Sequence, residues 1–294
     1  MLVLSEAVLG PPATRSVRDN QEITEAAKLA GCRVYYIPSN FDECETAENA
    51  LWHVPEQERE TPAVWIGFIP SADRYGDVYT AAAAKRIRLV NTPEEHWDGL
   101  EFDRAYPKLV GITPETVILD HPAEWPRAAE QLGFPVFLRG AVRSRKESGF
   151  SACVAHDPTE LQQIVNHLFA YPYRSRGRVL VRRLARLRHT RMTENGFPIG
   201  REYRVFLYRG AVLGLGYYWD GDDPLAALTA DEEAVVSGLA AEAAARVGTP
   251  FLCADIGQME EGTWTVIEVG DAQFAGTGHT PLLPLWQRLI AAVG

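Results

Sequence analysis

The sequence predicts an α/β unit followed by a larger α+β region. Three observations predict it. Up to about residue 117, short apolar runs alternate with stretches of helical spacing, which argues for a parallel sheet. Beyond that point apolar runs come in pairs joined by polar turns, as antiparallel hairpins do, with helices between them. Charge is segregated along the chain as well. Residues 1–138 carry 12 basic and 22 acidic side chains, residues 139–209 carry 15 and 5, and residues 210–294 carry 2 and 12. A basic middle between acidic flanks suits a polyanion such as a triphosphate or a nucleic-acid backbone. It equally suits electrostatic pairing of the middle with its own flanks.

The elements follow in order. Ser16–Ala30 carries helical spacing through Val17, Ile23, Ala26, Ala27 and Leu29, and Gly31 stops it. Arg33–Ile37 and Val64–Ile69 read as strands, Ala72–Ile87 as a helix, and Arg88–Val90 as a short strand. No glycine-rich phosphate loop follows any of these strands, so a dinucleotide unit is not supported. Residues 92–122 read as loop-rich because of Pro93, Pro107, Pro114 and Pro122, and the domain boundary is placed there, at 117/118. Ala123–Leu132 is a helix, Pro135–Arg139 a strand, and 140–149 a basic loop with a glycine at each end. Asp157 caps a helix running to about Ala170. Arg178–Leu184 is a strand. Glu202–Tyr208 and Val212–Trp219 form a hairpin, and Thr229 caps an alanine-rich helix through Val247. A second hairpin, Phe251–Ile256 with Thr263–Val269, and a helix over Leu282–Val293 close the chain.

Composition bounds the function classes. The chain has 294 residues and 46% apolar content, enough for two compact domains or one large α/β domain with a sizeable core. No 18-residue apolar run predicts a membrane span, and MLVLSEAVLG lacks the basic start of a secretory signal. The four cysteines form no C-x-x-C pair, which argues against zinc and redox motifs and for buried thiols in a reducing cytoplasm.

The last hairpin carries the chemistry. Asp255 and Glu268 each lie inside an apolar strand run, and Asp271 follows closely. A carboxylate is costly to bury without a partner. Mg²⁺ is one such partner, and it commonly takes one or two carboxylates plus substrate phosphates. The hairpin therefore reads as a wall of a Mg–nucleotide site. The alternative is that these acids face water or pair with core arginines. Arg139 ends a strand, and Arg143, Arg145 and Lys146 lie on the basic loop. Alternation puts Arg204 on the opposite face from Val205 and Leu207. There it either meets a phosphate bidentately or pairs with a cross-strand acid.

The order of these motifs resembles the ATP-grasp enzymes over roughly residues 115–294. It is similar in particular to the clade in which arginine replaces the usual strand lysine. The resemblance rests on PVFLR at 135–139, SRKES at 144–148, EYRVF at 202–206 and WTVIEVGDAQ at 264–273. It departs from the wider superfamily in having Gly270 where asparagine is usual. The resemblance implies an N-terminal pre-ATP-grasp domain at 1–117 and an ATP-grasp domain at 118–294. The latter would divide into a small subdomain, about 118–181, and a large one, about 182–294. It implies an ATP- and Mg²⁺-dependent ligase that activates a carboxylate as an acylphosphate for attack by an amine (or a thiol). Asp255, Glu268 and Asp271 would hold metal, and Arg139 and Lys146 would neutralise the α- and β-phosphates. Arg204 would stabilise the transferring γ-phosphoryl group, and Arg182, Arg183 and Leu184 would line the base. Gln273 would orient a metal ligand or the acceptor.

The carboxylate and amine, whether small molecules or peptides, are not legible. Loops at 39–46, 70–76 and 217–224 are candidates for selecting them. The competing readings are a nucleic-acid-binding module using the basic 139–209 segment, disfavoured because its cations alternate with core-like residues, and a grasp protein that binds nucleotide without catalysis. Oligomeric state is not encoded legibly. Alanine at Asp255 or Glu268 is expected to abolish Mg–ATP binding and spare the fold.

Overall fold

The computed structural model describes residues 1–8, 10–39 and 44–294; residues 40–43 of the candidate loop at 39–46 lie outside the described residues. The N-terminal unit is the expected parallel sheet. Its strand order is Arg33–Tyr36, Leu2–Ser5, Thr61–Ile66, Ile87–Leu89. Leu2–Ser5, not anticipated as a strand, is buried throughout and pairs with both neighbours. A four-residue run buried on both sides shows no alternation for a sequence reading to detect.

Residues 92–122 correct the loop-rich reading. They form helices Pro93–Leu100 and Phe102–Leu109 and a strand Thr116–Leu119. Proline marks the helix start here. Thr92 Oγ1 accepts from Glu95 N at 3.3 Å, Glu95 Oε2 accepts from Thr92 N at 2.7 Å, and Pro93 fills the first turn. Proline costs nothing at that position, because its missing N–H has no intrahelical acceptor anyway. Pro107 is accommodated inside the second helix.

Two four-stranded antiparallel sheets follow, with a two-stranded antiparallel ribbon, His189–Met192 and Pro198–Gly200, between them in sequence. The first runs Thr116–Leu119, Val179–Arg183, Val136–Gly140, Val154–Ala155. The second runs Ala211–Tyr217, Glu202–Tyr208, Phe251–Gln258, Trp264–Asp271. One face of the second sheet packs Val205, Leu207, Leu252, Ala254 and Ile256 against Val236, Ala240 and Ala243 of the helix Ala230–Val247. The other face buries Phe206, Tyr208, Phe251 and Cys253 with Ile23 and Ala27 of the N-terminal helix and Trp286 and Leu289 of the last. Each Val, Leu, Ile and Phe among them contributes roughly 1.5–3 kcal/mol on full burial, so both faces hold the sheet firmly. Arg204 stands opposite Asp255 in register, and Asp255 opposite Glu268. The pleat thus delivers three charged side chains to one place on the second face. Among the described residues no helix is long and apolar enough to cross a membrane.

Candidate functional site

The charges meet where the two antiparallel sheets face each other. Arg204 Nε and Nη2 donate to Asp255 Oδ1 and Oδ2, each at 2.8 Å, and Nη1 donates to the Gly276 carbonyl at 2.8 Å. Of the two expectations for Arg204, the pair with a cross-strand acid is formed. Burial works against the guanidinium charge, yet Asp255 outweighs it and raises the Arg204 pKa well above its usual value. Arg139 reaches across from the facing sheet. Its Nη2 donates to Glu268 Oε1 at 2.7 Å, and its other bonds go to the carbonyls of Gly140 and Val142. The Glu268 side chain remains 32% exposed. Desolvation pushes its pKa up, but Arg139, Lys146 and Arg204 together hold it below the usual carboxylate range.

Arg182 also bridges the sheets, donating to the Ile267 carbonyl and to Thr113 Oγ1, both at 2.8 Å. Burial, with Arg139 nearby, lowers its pKa to about 9. Lys146 opens a short turn and lies among aromatic rings. Its Nζ is 5.6 Å from the ring centroids of Tyr218 and Trp219 and 5.8 Å from that of Phe197. Burial alone would lower the Lys146 pKa; the field of Glu202, Glu268 and Asp255 overcomes it and raises the value to about 12.

Two cavities share this centre. One, of about 400 Å³, is lined by Phe137, Phe150, Leu184, Leu187 and Phe197 together with the charged Arg139, Lys146, Arg182, Glu202 and Glu268. Its size and its mixture of apolar and charged lining suit a planar ligand that carries charge. The other, of about 600 Å³, runs from Arg204 and Asp255 out to Arg15 and Arg143. Lys146, Trp219 and Glu268 line both. A ligand in the first cavity can therefore present its charged part to a second ligand in the other, across Lys146 and Glu268.

Not every expected residue converges. Arg183 lines the first cavity, but its guanidinium turns outward to Glu115 Oε2 at 2.9 Å and the Leu132 carbonyl at 3.2 Å. Asp271 lines the second, but both its oxygens are taken. Oδ1 accepts from Asn91 Nδ2 at 2.9 Å and Gln273 N at 3.0 Å; Oδ2 bonds His96 Nδ1 at 2.7 Å and accepts from Gln273 Nε2 at 3.2 Å. Among the described residues no three His, Cys, Asp or Glu side chains make a metal cage by themselves. That does not disqualify Mg²⁺, which ordinarily completes its shell with phosphates and water. The donor set fits it through Glu268, which is partly exposed and singly paired; the Asp255 oxygens beside it are both engaged by Arg204.

Residues 128–289, more than half of the chain, match the model of an ATP-grasp domain family, the third of the arginine-for-lysine clade. The chain belongs to that ATP-grasp family. The structures of other ATP-grasp proteins superpose on nearly all of it. The D-alanine–D-alanine ligase from Bacillus anthracis aligns with TM-score 0.64 at 12% identity, covering 99% of this chain and 94% of that one. The RimK domain protein ATP-grasp from Sphaerobacter thermophilus aligns with TM-score 0.59 at 14% identity, covering 99% and 98%. The ATP-grasp ligase PsnB, in complex with minimal precursor, Mg and ADP, aligns with TM-score 0.57 at 14% identity, covering 99% and 97%. No curated protein matches in sequence. The ATP-grasp fold thus extends through the N-terminal unit, beyond the segment that the family model covers.

Sequence reasoning missed Glu202 and Phe197; Tyr218 and Trp219 fall in the candidate loop 217–224 but were not placed beside Lys146. Glu202 had a signal: it stands two residues before Arg204 on the same strand, hence on the same face. Tyr218 and Trp219 follow directly on the strand Ala211–Tyr217, whereas Phe197 comes from the turn before Pro198–Gly200, and no spacing relates it to them.

Proposed function

We propose that this ATP-grasp chain is an ATP- and Mg²⁺-dependent ligase that activates a carboxylate as an acylphosphate for attack by an amine. The observation that carries the reading is the pair of cavities meeting at Lys146 and Glu268. One suits a nucleotide and the other a second substrate. The Mg²⁺- and ADP-bound neighbour supports the same reading. The division at 117/118, with subdomains about 118–181 and 182–294, belongs to it.

In this reading the base lies against Leu184 and Phe197, beside the backbone of 182–184. Arg139 and Lys146 neutralise the α- and β-phosphates. Arg204, fixed in orientation by Asp255, presents its guanidinium to the transferring phosphoryl group. Positioning and charge neutralisation are the protein's main contributions to such a transfer. Glu268 is the residue best placed to hold Mg²⁺; Asp255, whose two oxygens Arg204 engages, and Asp271, whose oxygens Asn91, His96 and Gln273 take, would join it only by giving up those partners. When bound, the metal draws charge from the phosphate oxygens and aligns them. The oligomeric state is not part of the proposal, and the carboxylate is a small molecule or a peptide.

Hydroxylamine provides the test, because it intercepts an acylphosphate whatever the natural amine is. The protein is incubated with Mg–ATP, hydroxylamine and panels of amino acids and short peptides. The reading expects ADP and a hydroxamate in equal amounts. ADP formed together with a stable phosphorylated product would instead favour a kinase.

A further inference from the structure

Each acid that lines the second cavity has a partner. Arg204 holds Asp255, Arg139 holds Glu268, and Asn91 and His96 hold Asp271. Glu147 Oε1 stands 2.7 Å from Arg174 Nη2. The arginines lining the same cavity are engaged too, with one exception. Arg204 is bound as above. Arg174 also donates to the Ser144 carbonyl at 2.5 Å and to Tyr173 Oη at 3.0 Å. Arg15 donates to the Tyr218 carbonyl at 3.0 Å and lies 3.5 Å from Asp220 Oδ1. Arg143 is the exception. It lines the cavity, yet among the described residues its guanidinium makes neither a hydrogen bond nor an ion pair.

The backbone beneath that guanidinium is fixed. The amides of Val142 and Arg143 both donate to the Arg174 carbonyl, at 2.9 and 3.4 Å, and the Arg143 carbonyl accepts from Gly140 N at 3.0 Å. Gly140 permits the approach, since a Cβ there would lie 2.4 Å from the Arg174 carbonyl oxygen. A rigid scaffold thus carries a side chain with nothing to bind. On an open surface an unpaired arginine is merely hydrated. In a concave wall its planar fork of donors is a receptor for a carboxylate or a phosphate. Arg143 lines the second cavity and not the first, whereas Lys146 lines both. It therefore belongs with the second ligand and not with the nucleotide.

We infer that the carboxyl substrate of the second cavity carries a further carboxylate that does not react, and that Arg143 holds it. The inference rests on the ligase reading and deepens it, because it makes that substrate at least a dianion. The reacting carboxylate goes to the Arg204 end, where the two cavities meet. The acylphosphate forms before the amine attacks, so this substrate occupies the cavity first and extends outward to Arg143. Arg143 takes no part in bond making. An oxygen of the reacting carboxylate attacks the γ-phosphorus and ADP leaves; the amine nitrogen then displaces inorganic phosphate and gives up a proton. Free dicarboxylic acids and acidic peptides share the chemistry that Arg143 recognises.

The test uses pairs of acids that differ in one carboxylate only. Glutarate and adipate are set against their monoamides, and a short glutamate-containing peptide with a free C-terminus against the same peptide amidated. Each is assayed with Mg–ATP and hydroxylamine. Wild type should use the diacid of a pair with kcat/KM about tenfold higher, roughly 1.4 kcal/mol. A preference confined to the free acids identifies a small-molecule substrate, and one confined to the peptides a peptide. Arg143→Met should raise KM for the diacid about tenfold with little change in kcat, and so erase the preference; Arg143→Lys should restore part of it. Arg143→Met should melt with wild type, since the guanidinium has no bond to lose. Calorimetry with a non-hydrolysable ATP analogue and Mg²⁺ should give the same affinity for both proteins. Weaker binding of the analogue to Arg143→Met would show that the arginine serves the nucleotide's phosphates, and would overturn the inference. Equal use of both members of every pair by wild type would overturn it too, while leaving the ligase reading in place. Wild type that releases no ADP with any acid would contradict the ligase reading itself, and this inference falls with it.

Discussion

Asp255 lies in a strand whose eight residues are all buried, and its two oxygens are both held by Arg204. Breaking a buried ion pair by removing one partner typically costs about 3–5 kcal/mol, because the other charge is left stranded. The expectation that alanine at Asp255 spares the fold is thus set against a cost in stability. Asp255→Ala should lower stability in denaturant by about that amount, and Asp255→Ala/Arg204→Leu should be less destabilised than the single variant. A single variant as stable as wild type would show that the pair is not formed in solution. Glu268 behaves differently. It keeps a third of its side chain exposed and has one partner. Its glutamine variant tests the metal with less disturbance to the core, and it is the better position for that purpose.

At the scale of elements, the helix Ala230–Val247 supports the sheet from behind the site. Its start is over-determined. Thr229 Oγ1 accepts from Glu232 N at 3.3 Å, and Glu232 Oε2 accepts from Thr229 N at 2.9 Å. The same carboxylate receives Arg201 Nη1 at 2.5 Å and Nη2 at 2.9 Å. Arg201 directly precedes Glu202, so the cap anchors the end of the strand that carries Glu202 and Arg204. Thr229→Ala should cost about 1 kcal/mol, read as a melting temperature lowered by about 2–4 °C. This cap was legible, because threonine three residues before glutamate ahead of an apolar helix is a local signal. The hairpins over 202–219 and 251–269 were legible for the same reason, whereas the short one of His189–Met192 and Pro198–Gly200 was not anticipated. Thr92, Pro93 and Glu95 carry the same signal, but the surrounding prolines read as a loop.

Across the whole molecule, buried side chains tie the N-terminal unit to the last hairpin. Asn91 exchanges bonds with Phe251 N and O at 2.8 and 2.9 Å and also donates to Asp271. Gln273 accepts from Trp65 N at 3.0 Å and donates to Tyr75 Oη at 2.9 Å. His96, stacked on Tyr75 at 3.9 Å, bonds Asp271. The partners of Asp271 and Gln273 in the N-terminal unit lie 175 to 208 residues away in sequence. That separation is why Asp271 read as a free acid, whereas Arg204 and Asp255 could be placed on one face from strand alternation alone. The spacing of motifs carried the family and the centre of the site. The partners that decide each acid's role came from distant segments and could not be read.

The central claim is that the two cavities meeting at Lys146 and Glu268 take a Mg–nucleotide. Calorimetric titration of a non-hydrolysable ATP analogue into wild type and Glu268→Gln, each with and without Mg²⁺, tests it most directly. The account predicts tight binding to wild type with Mg²⁺, weaker binding without it, and a Mg²⁺ dependence that largely disappears in Glu268→Gln. Binding with the same Mg²⁺ dependence in both proteins would contradict the assignment of the metal, and no binding to wild type under either condition would contradict the nucleotide site itself.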